Sequence, residues 1–166
     1  MRKEFVKAVD EKRLSQALLA AYADEWLAGY YYMLTAHTIM GHVSGEIAEN
    51  FMKEAKEELT KHAPMIAERL QSLEVELPRD FRSLWEMSRC KYPELPQDPY
   101  DIDGWLIAAI KAEECAIDGY KELYELTHGK DPVTENLAKD LLADEVRHRT
   151  ELINLLSKEG TKRLLA

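Results

Sequence analysis

The chain has 166 residues, 46% of them hydrophobic and 32% charged, which is enough apolar material for one buried core and the balance of a water-exposed globular protein. Thirty-one acidic against 22 basic residues leave a net charge of −9, which speaks against nonspecific binding of nucleic acid through the body of the fold. No apolar run approaches the roughly 20 residues that span a bilayer, so no membrane partner is expected. The opening Met1-Arg-Lys-Glu-Phe-Val6 lacks the apolar segment of a signal peptide, so a cytoplasmic location is expected. Two cysteines, Cys90 and Cys115, are too few for a secreted disulfide framework or a four-cysteine metal site.

Glycine and proline punctuate the chain between helical patterns. Residues 10–41 carry apolar positions at steps of three and four, from Leu14 and Leu18 through Ala21, Ala28, Tyr32 and Ala36 to Ile39, with Glu25 inside the stripe. Gly41 is the expected stop. The short connection His42–Gly45 predicts an antiparallel second helix over 46–74, with the seam Phe51, Ala55, Glu58/Leu59, His62, Ile66, Leu70 and Leu73. Pro78, Pro93, Pro96 and Pro99 then break the pattern, apart from a short helical piece around 79–90. A linker of this length can travel back along a helix of about 45 Å, so the third helix is expected parallel to the second.

That third helix, over 100–128, carries Ile102, Leu106, Ala109, Glu113, Ala116, Tyr120, Leu123 and Thr127 on one face. Asp131-Pro132 supplies an N-cap and a proline at the first helical position for a fourth helix reaching about Lys158. Its seam is Val133, Leu137, Leu141, Glu145, His148, Leu152 and Leu155, and no further helix is expected after it. The expectation is an all-α, four-helix bundle with a long crossover between helices two and three, formed as one domain over 1–166.

Each helix has a polar residue in mid-stripe: Glu25, Glu58 with His62, Glu113, and Glu145 with His148. Glu25 and Glu58 are 33 residues apart and Glu113 and Glu145 are 32 apart, so the chemistry repeats between the two halves. Four carboxylates in one core would each cost several kcal/mol unless compensated. Two divalent cations supply that compensation, and mixed carboxylate and imidazole donors suit iron or manganese better than zinc's sulfur-rich structural sites. The six residues are therefore candidate ligands and candidate catalytic residues. Glu113 lies on the stripe and Glu114 about 100° off it. In helix two the four-residue step from Glu58 to His62, with Pro64 just beyond, predicts a π-bulge; there Glu57 competes with Glu58 as the ligand. Tyr32 and Tyr120 each follow a candidate glutamate by seven residues.

The chain resembles the ferritin-like superfamily, and within it the Dps-like miniferritins called thioferritins. The carriers are Ala23-Asp-Glu-Trp-Leu-Ala28, Glu57-Glu-Leu with His62-Ala, Trp85-Glu-Met-Ser-Arg-Cys-Lys-Tyr92, Glu113-Glu-Cys-Ala-Ile117 and Ala143-Asp-Glu-Val-Arg-His148. The resemblance implies a bacterioferritin-like di-iron site in each subunit, with two irons per subunit and manganese or zinc as substitutes. It implies a hollow homo-oligomer, of twelve subunits with a 24-subunit cage second, in which ferrous iron is oxidised by hydrogen peroxide or oxygen and stored as mineral. It further implies that Cys90 and Cys115 lie together near the metal, where we expect a reversible disulfide that stabilises the bundle and joins the peroxide chemistry. Asp144 is a candidate to orient a ligand histidine, and Tyr32 and Tyr120 are candidates for oxidation near the metal. His37, His42 and His128 are expected at the surface or at helix caps; Tyr22, Trp26, Tyr30 and Tyr31 in the core or a subunit contact. A second apolar stripe, Leu142, Val146, Ile153 and Leu156, fits packing or subunit contact. Arg2, Lys3, Lys7, Lys12 and Arg13, interrupted by acids, read as a solvated face rather than a DNA arm. The rival functions are a di-iron or di-manganese peroxidase, catalase or oxygenase without storage, and a DNA-protecting or purely structural cage. Without a Cys-x-x-Cys pair, a rubrerythrin-type peroxidase is disfavoured.

Overall fold

A computed structural model describes residues 9–91 and 93–166. Among them all regular structure is helical: α1 (Glu11–Thr38), α2 (Ser44–Glu57) running through a π-helical turn (Glu58–His62) into α3 (Ala63–Ser72), α4 (Phe81–Met87), α5 (Ile102–Thr127), α6 (Pro132–Leu155) and α7 (Lys158–Leu165). Arg2, Lys3, Lys7 and Tyr92 lie outside the described residues. No described helix is long and apolar enough to cross a membrane.

Carboxylates fix where the long helices start. Asp10 accepts from the N–H groups of Lys12 and Arg13, at 3.0 and 3.1 Å. Asp101 accepts from Gly104 at 3.1 Å, and Asp131 from Val133 and Thr134 at 3.2 Å each. Pro132 occupies the first turn of α6, as expected. Helix α1 ends at Thr38, earlier than the expected stop, and Gly41 instead turns the following loop at φ +122°.

The bundle core falls into two apolar layers. One gathers Tyr31, Phe51, Ala55, Leu106, Ile110 and Leu152; the other gathers Leu14, Leu18, Ile66, Leu70, Leu123 and Leu141. Each fully buried aliphatic or aromatic side chain stabilises the fold by roughly 1.5–3 kcal/mol relative to exposure. Between the layers sit the buried Glu25, Glu58, His62, Glu113, Glu145 and His148, a polar storey that the apolar ones shield from water.

The expected π-bulge is present. The Ala63 N–H reaches the Glu58 carbonyl, five residues back rather than four. The widened turn presses Leu59 against α1, where a Cβ on Gly29 would lie 2.5 Å from Leu59 Cγ. Glycine in mid-helix is unfavourable by itself, and here the close approach requires it.

Two expectations need correction. Helix α7 follows Ser157, which caps it by accepting from the Gly160 N–H at 3.0 Å. Arg163 holds it to the start of α5 through two bonds to Asp101, at 2.7 and 3.0 Å, and Asp103 accepts from the Ser157 N–H at 2.9 Å. Polar docking and the single apolar contact of Leu164 with the core keep this helix in place, so periodicity does not show it. Val133 was expected in the core seam but is 48% exposed, and Thr134 is the buried residue of that turn. Thr134 must face inward because its hydroxyl bonds Asp131 and accepts from Arg69 at 2.7 Å.

Candidate metal centre

The π turn and α6 bring the Glu/His pairs face to face, and their rings stack 5.6 Å apart at 19°. His62 Nδ1 lies 2.8 Å from Glu58 Oε2, 3.1 Å from Glu145 Oε1 and 3.3 Å from Glu25 Oε2. His148 Nδ1 lies 3.3 Å from both Glu58 Oε1 and Glu145 Oε2. Glu58 and Glu145 thus each turn one oxygen toward each imidazole. Two four-residue groups result: Glu25, Glu58, His62 and Glu145; and Glu58, Glu113, Glu145 and His148. Within each group the donor atoms lie within 4.8 Å of one another, and all these residues are buried.

Tyrosines cross between the halves. The Tyr32 hydroxyl donates to Glu113, and the Tyr120 hydroxyl donates to Glu25. Tyr120 bonds Glu25 through Oε1 and leaves its Oε2 to His62. Burial, then the neighbouring Glu58 and Glu145 charges, push Glu25 well above the usual carboxylate range; burial and Glu145 do the same to Glu113. Burial alone would push both histidines down, but the carboxylates bonded to them outweigh it and hold both well above the ordinary value. Burial opposes ionisation of Glu145 as well, yet the nearby imidazoles of His148 and His62 keep its carboxyl low. The metal-free protein therefore balances the site with protons.

Further acids approach the outer ring nitrogens of the two imidazoles. Asp144 Oδ2 lies 3.3 Å from His62 Nε2. Lys61 braces Asp144 at 2.6 Å and Glu57 at 2.9 Å, and Arg147 reaches Glu57 at 2.9 Å. Despite burial, these cations hold Glu57 down to about 2. Glu57 lies 3.3 Å from His148 Nε2, outside the inner groups, whereas Glu58 is inside both. Glu114 likewise lies off the site, bonded to Arg149 at 2.7 and 2.9 Å.

Glu54 was not among the expected site residues. It is fully buried, and its Oε2 lies 2.8 Å from His148 Nε2. Neither of its oxygens makes an aligned hydrogen bond. Its position four residues before Glu58 puts it on the same helix face, a periodicity signal that could have revealed it.

Cys90 and Cys115 are joined by a disulfide, with Cα atoms 5.7 Å apart. A narrow cavity of about 30 Å³ runs from Cys90, Lys91 and Pro93 to Glu25, Glu58, Glu113 and Glu145. That volume admits a molecule the size of water or peroxide. The remaining histidines stand apart: His37 bonds the Met33 carbonyl at 2.8 Å, His42 is exposed, and His128 caps α5 through its backbone N–H. Tyr31 is buried, whereas Tyr30 is 47% exposed and packs edge-on to Phe81.

The donor set fits divalent cations of the iron class: four buried carboxylates, two imidazoles, and the Glu145 Oε1 and His148 Nδ1 atoms that no hydrogen bond satisfies. The ferritin-like domain family matches residues 15–160. A DNA protection during starvation protein from Pyrococcus furiosus is 32% identical over 149 residues, covering 90% of this chain and 80% of that protein. The solved dodecameric thioferritin of Bacteroides fragilis, a bacterioferritin-related protein, is 34% identical with a TM-score of 0.85, over 93% of this chain and 90% of that one. Dps from Thermosynechococcus elongatus shares the fold at a TM-score of 0.80 and 19% identity, over 89% and 92% of the two chains. The chain therefore belongs to the ferritin-like family, on its Dps-like thioferritin branch.

Proposed function

We propose that the protein is an iron-oxidising, iron-storing miniferritin subunit, a ferroxidase. The observation that carries this reading is the pair of overlapping Glu/His groups that share Glu58 and Glu145. Ferrous iron is the substrate: Glu25 and His62 hold one ion, Glu113 and His148 the other, and the two shared glutamates bridge them. Buried donors of this kind stabilise the rise in metal charge on oxidation. Peroxide takes one electron from each of two ferrous ions and two protons from the medium; its O–O bond breaks and two waters form, so no one-electron oxygen species is released. The narrow cavity beside Cys90 suits so small an oxidant better than an organic substrate. Asp144, Glu54 and Glu57 orient the imidazoles, while Tyr32 and Tyr120 hold the terminal glutamates.

Similarity to a dodecameric thioferritin supports a closed cage of twelve subunits in which ferric mineral collects. The disulfide ties the crossover to α5, and in its reduced form the pair joins peroxide removal, two thiols giving two protons and two electrons to peroxide as the S–S bond forms and two waters leave. The Pyrococcus relative is named for DNA protection; with a net charge of −9 this chain is better suited to protect by consuming oxidant than by coating DNA.

Anaerobic Fe(II) titration followed separately by peroxide and by oxygen tests the reading. The expected result is two ions bound per subunit and faster oxidation with peroxide. Light scattering that gives a stable monomer or dimer would refute storage, and turnover with manganese alone would favour a catalase.

A further inference from the structure

The crossover cysteine lies in an irregular stretch between α4 and α5, whereas Cys115 is set in the rigid α5. Cys90 therefore needs something besides secondary structure to hold it against its partner. One carboxylate oxygen does much of this. Asp24 Oδ1, on α1 beside Glu25, accepts from the Ser88 hydroxyl at 2.5 Å and from the Cys90 N–H at 3.0 Å. The Ser88 oxygen in turn accepts from the Lys91 N–H at 3.0 Å. Lys91 takes a left-handed φ of +54°, and its ammonium turns back to the Trp85 carbonyl and lies 5.2 Å from the centre of the Trp85 ring. Residues 88–91 thus form a tight loop closed on itself and pinned to α1 through Asp24. A second pin, the two-bond pair between Arg89 and Glu122 at 2.7 and 3.1 Å, joins the same loop to α5, but at the surface.

We propose that Asp24 is a positioning residue for the cysteine pair, fixing the Cys90 backbone so that its sulfur meets that of Cys115. The physical basis is effective concentration: the equilibrium between a dithiol and its disulfide measures how often one sulfur is presented to the other, and a loop free to move presents it less often. A charged acceptor in a partly buried position makes stronger hydrogen bonds than a neutral one, whereas an exposed ion pair contributes little. Asp24, not the Arg89–Glu122 pair, should therefore dominate. Asp24 also neighbours Glu25 on one helical turn, so the loop that carries the thiol and the proposed metal site share a mount. The inference needs the cysteine pair but not iron oxidation, and its test contains no metal, so it can fail or hold independently of the ferroxidase reading.

The experiment equilibrates the metal-free full chain in glutathione buffers, where two protein thiols reduce oxidised glutathione to two glutathione molecules, and counts alkylated thiols by mass. Asp24→Ala is expected to lower the effective concentration by about tenfold, which is about 30 mV for a two-electron couple. Asp24→Asn, which keeps an oxygen for the Cys90 N–H, and Ser88→Ala, which loses one of the two bonds to Asp24 together with the acceptor of the Lys91 N–H, should fall between. Glu122→Gln should change it by less than about twofold. An Asp24→Ala protein within about twofold of the parent, or a Glu122→Gln effect as large as that of Asp24→Ala, overturns the proposal. If Asp24→Ala does not fold, Asp24→Asn and Ser88→Ala decide: a shift in both supports it, and parent-like values in either overturn it.

Discussion

The two halves of the bundle build the same constellation by different local means. In the second half, Glu145 and His148 stand three residues apart on a regular helix; in the first, Glu58 and His62 stand four apart across a π turn. The spacing from Glu25 to Glu58 exceeds that from Glu113 to Glu145 by one residue, yet the two shared glutamates end up equivalent, each facing both imidazoles. The tyrosine bonds also swap between halves, Tyr32 to Glu113 and Tyr120 to Glu25. Glu57 and Asp144, each one residue before a shared glutamate, serve the opposite half's histidine. Four residues before the shared glutamate the likeness ends, because Glu54 is matched by Leu141 and both are fully buried.

Removing a shared glutamate should break both halves at once. Glu145→Ala and Glu58→Ala are each expected to slow rapid iron oxidation by more than about 100-fold with the helical circular dichroism retained. Stopped-flow absorbance would show it, and a variant that oxidises two irons at the parent rate would sink the assignment. Glu54→Leu makes the halves alike. It should weaken metal binding at the His148 side by about tenfold or more, since Glu54 faces the outer nitrogen of that ring. Cobalt titration should then resolve one weak and one unchanged site; two unchanged sites would leave Glu54 without a role.

Protons sharpen the same comparison. In the metal-free protein Glu25 and Glu113 are raised above 4.5, and His62 and His148 are raised above 6.5. The folded state binds more protons than the unfolded chain at these four positions, so their stabilisation is complete below the ordinary values and drains away as pH rises. Glu57 and Glu145, shifted downward, lose their contributions only below about pH 4.5. Calorimetry on metal-free protein should therefore show unfolding temperatures falling from about pH 5 to 8, and the gain on adding zinc increasing over the same range. Metal-free stability that climbs with pH would contradict the proton-balanced site. The smallest effect belongs to the tyrosines: Tyr32→Phe and Tyr120→Phe should each cost about 1–3 kcal/mol in denaturant unfolding of the metal-free protein, and by similar amounts.

What the sequence makes legible is what periodicity governs. The stripe through Glu113 separates it from Glu114, and the step from Glu58 to His62 beside Pro64 reveals the π turn before any coordinates. Glu54 stayed hidden because an acid on a helix one turn from another acid usually belongs to a solvated face. Helix α7 has no apolar stripe, and its place is decided by Arg163, Asp101, Asp103 and Ser157, which meet only in three dimensions. The cysteine pairing followed from family resemblance, because a sequence separation of 25 fixes no distance in space. Val133 has the right period but loses its core position to Thr134, whose hydroxyl is needed beside Arg69 and Asp131.

The π turn also acts as a phase correction, much as a dislocation absorbs an extra row in a crystal. Three successive four-residue steps, Glu58 to His62 to Ile66 to Leu70, would carry the stripe about 120° round a regular helix. With one residue taken up in the wide turn the drift is only about 20°, so the donors above and the apolar anchors below face one core. The surplus residue is at the surface, where Thr60 is exposed. The two ends of the long helix are therefore set independently of the bulge between them, and a chain one residue shorter at that point could keep both in place.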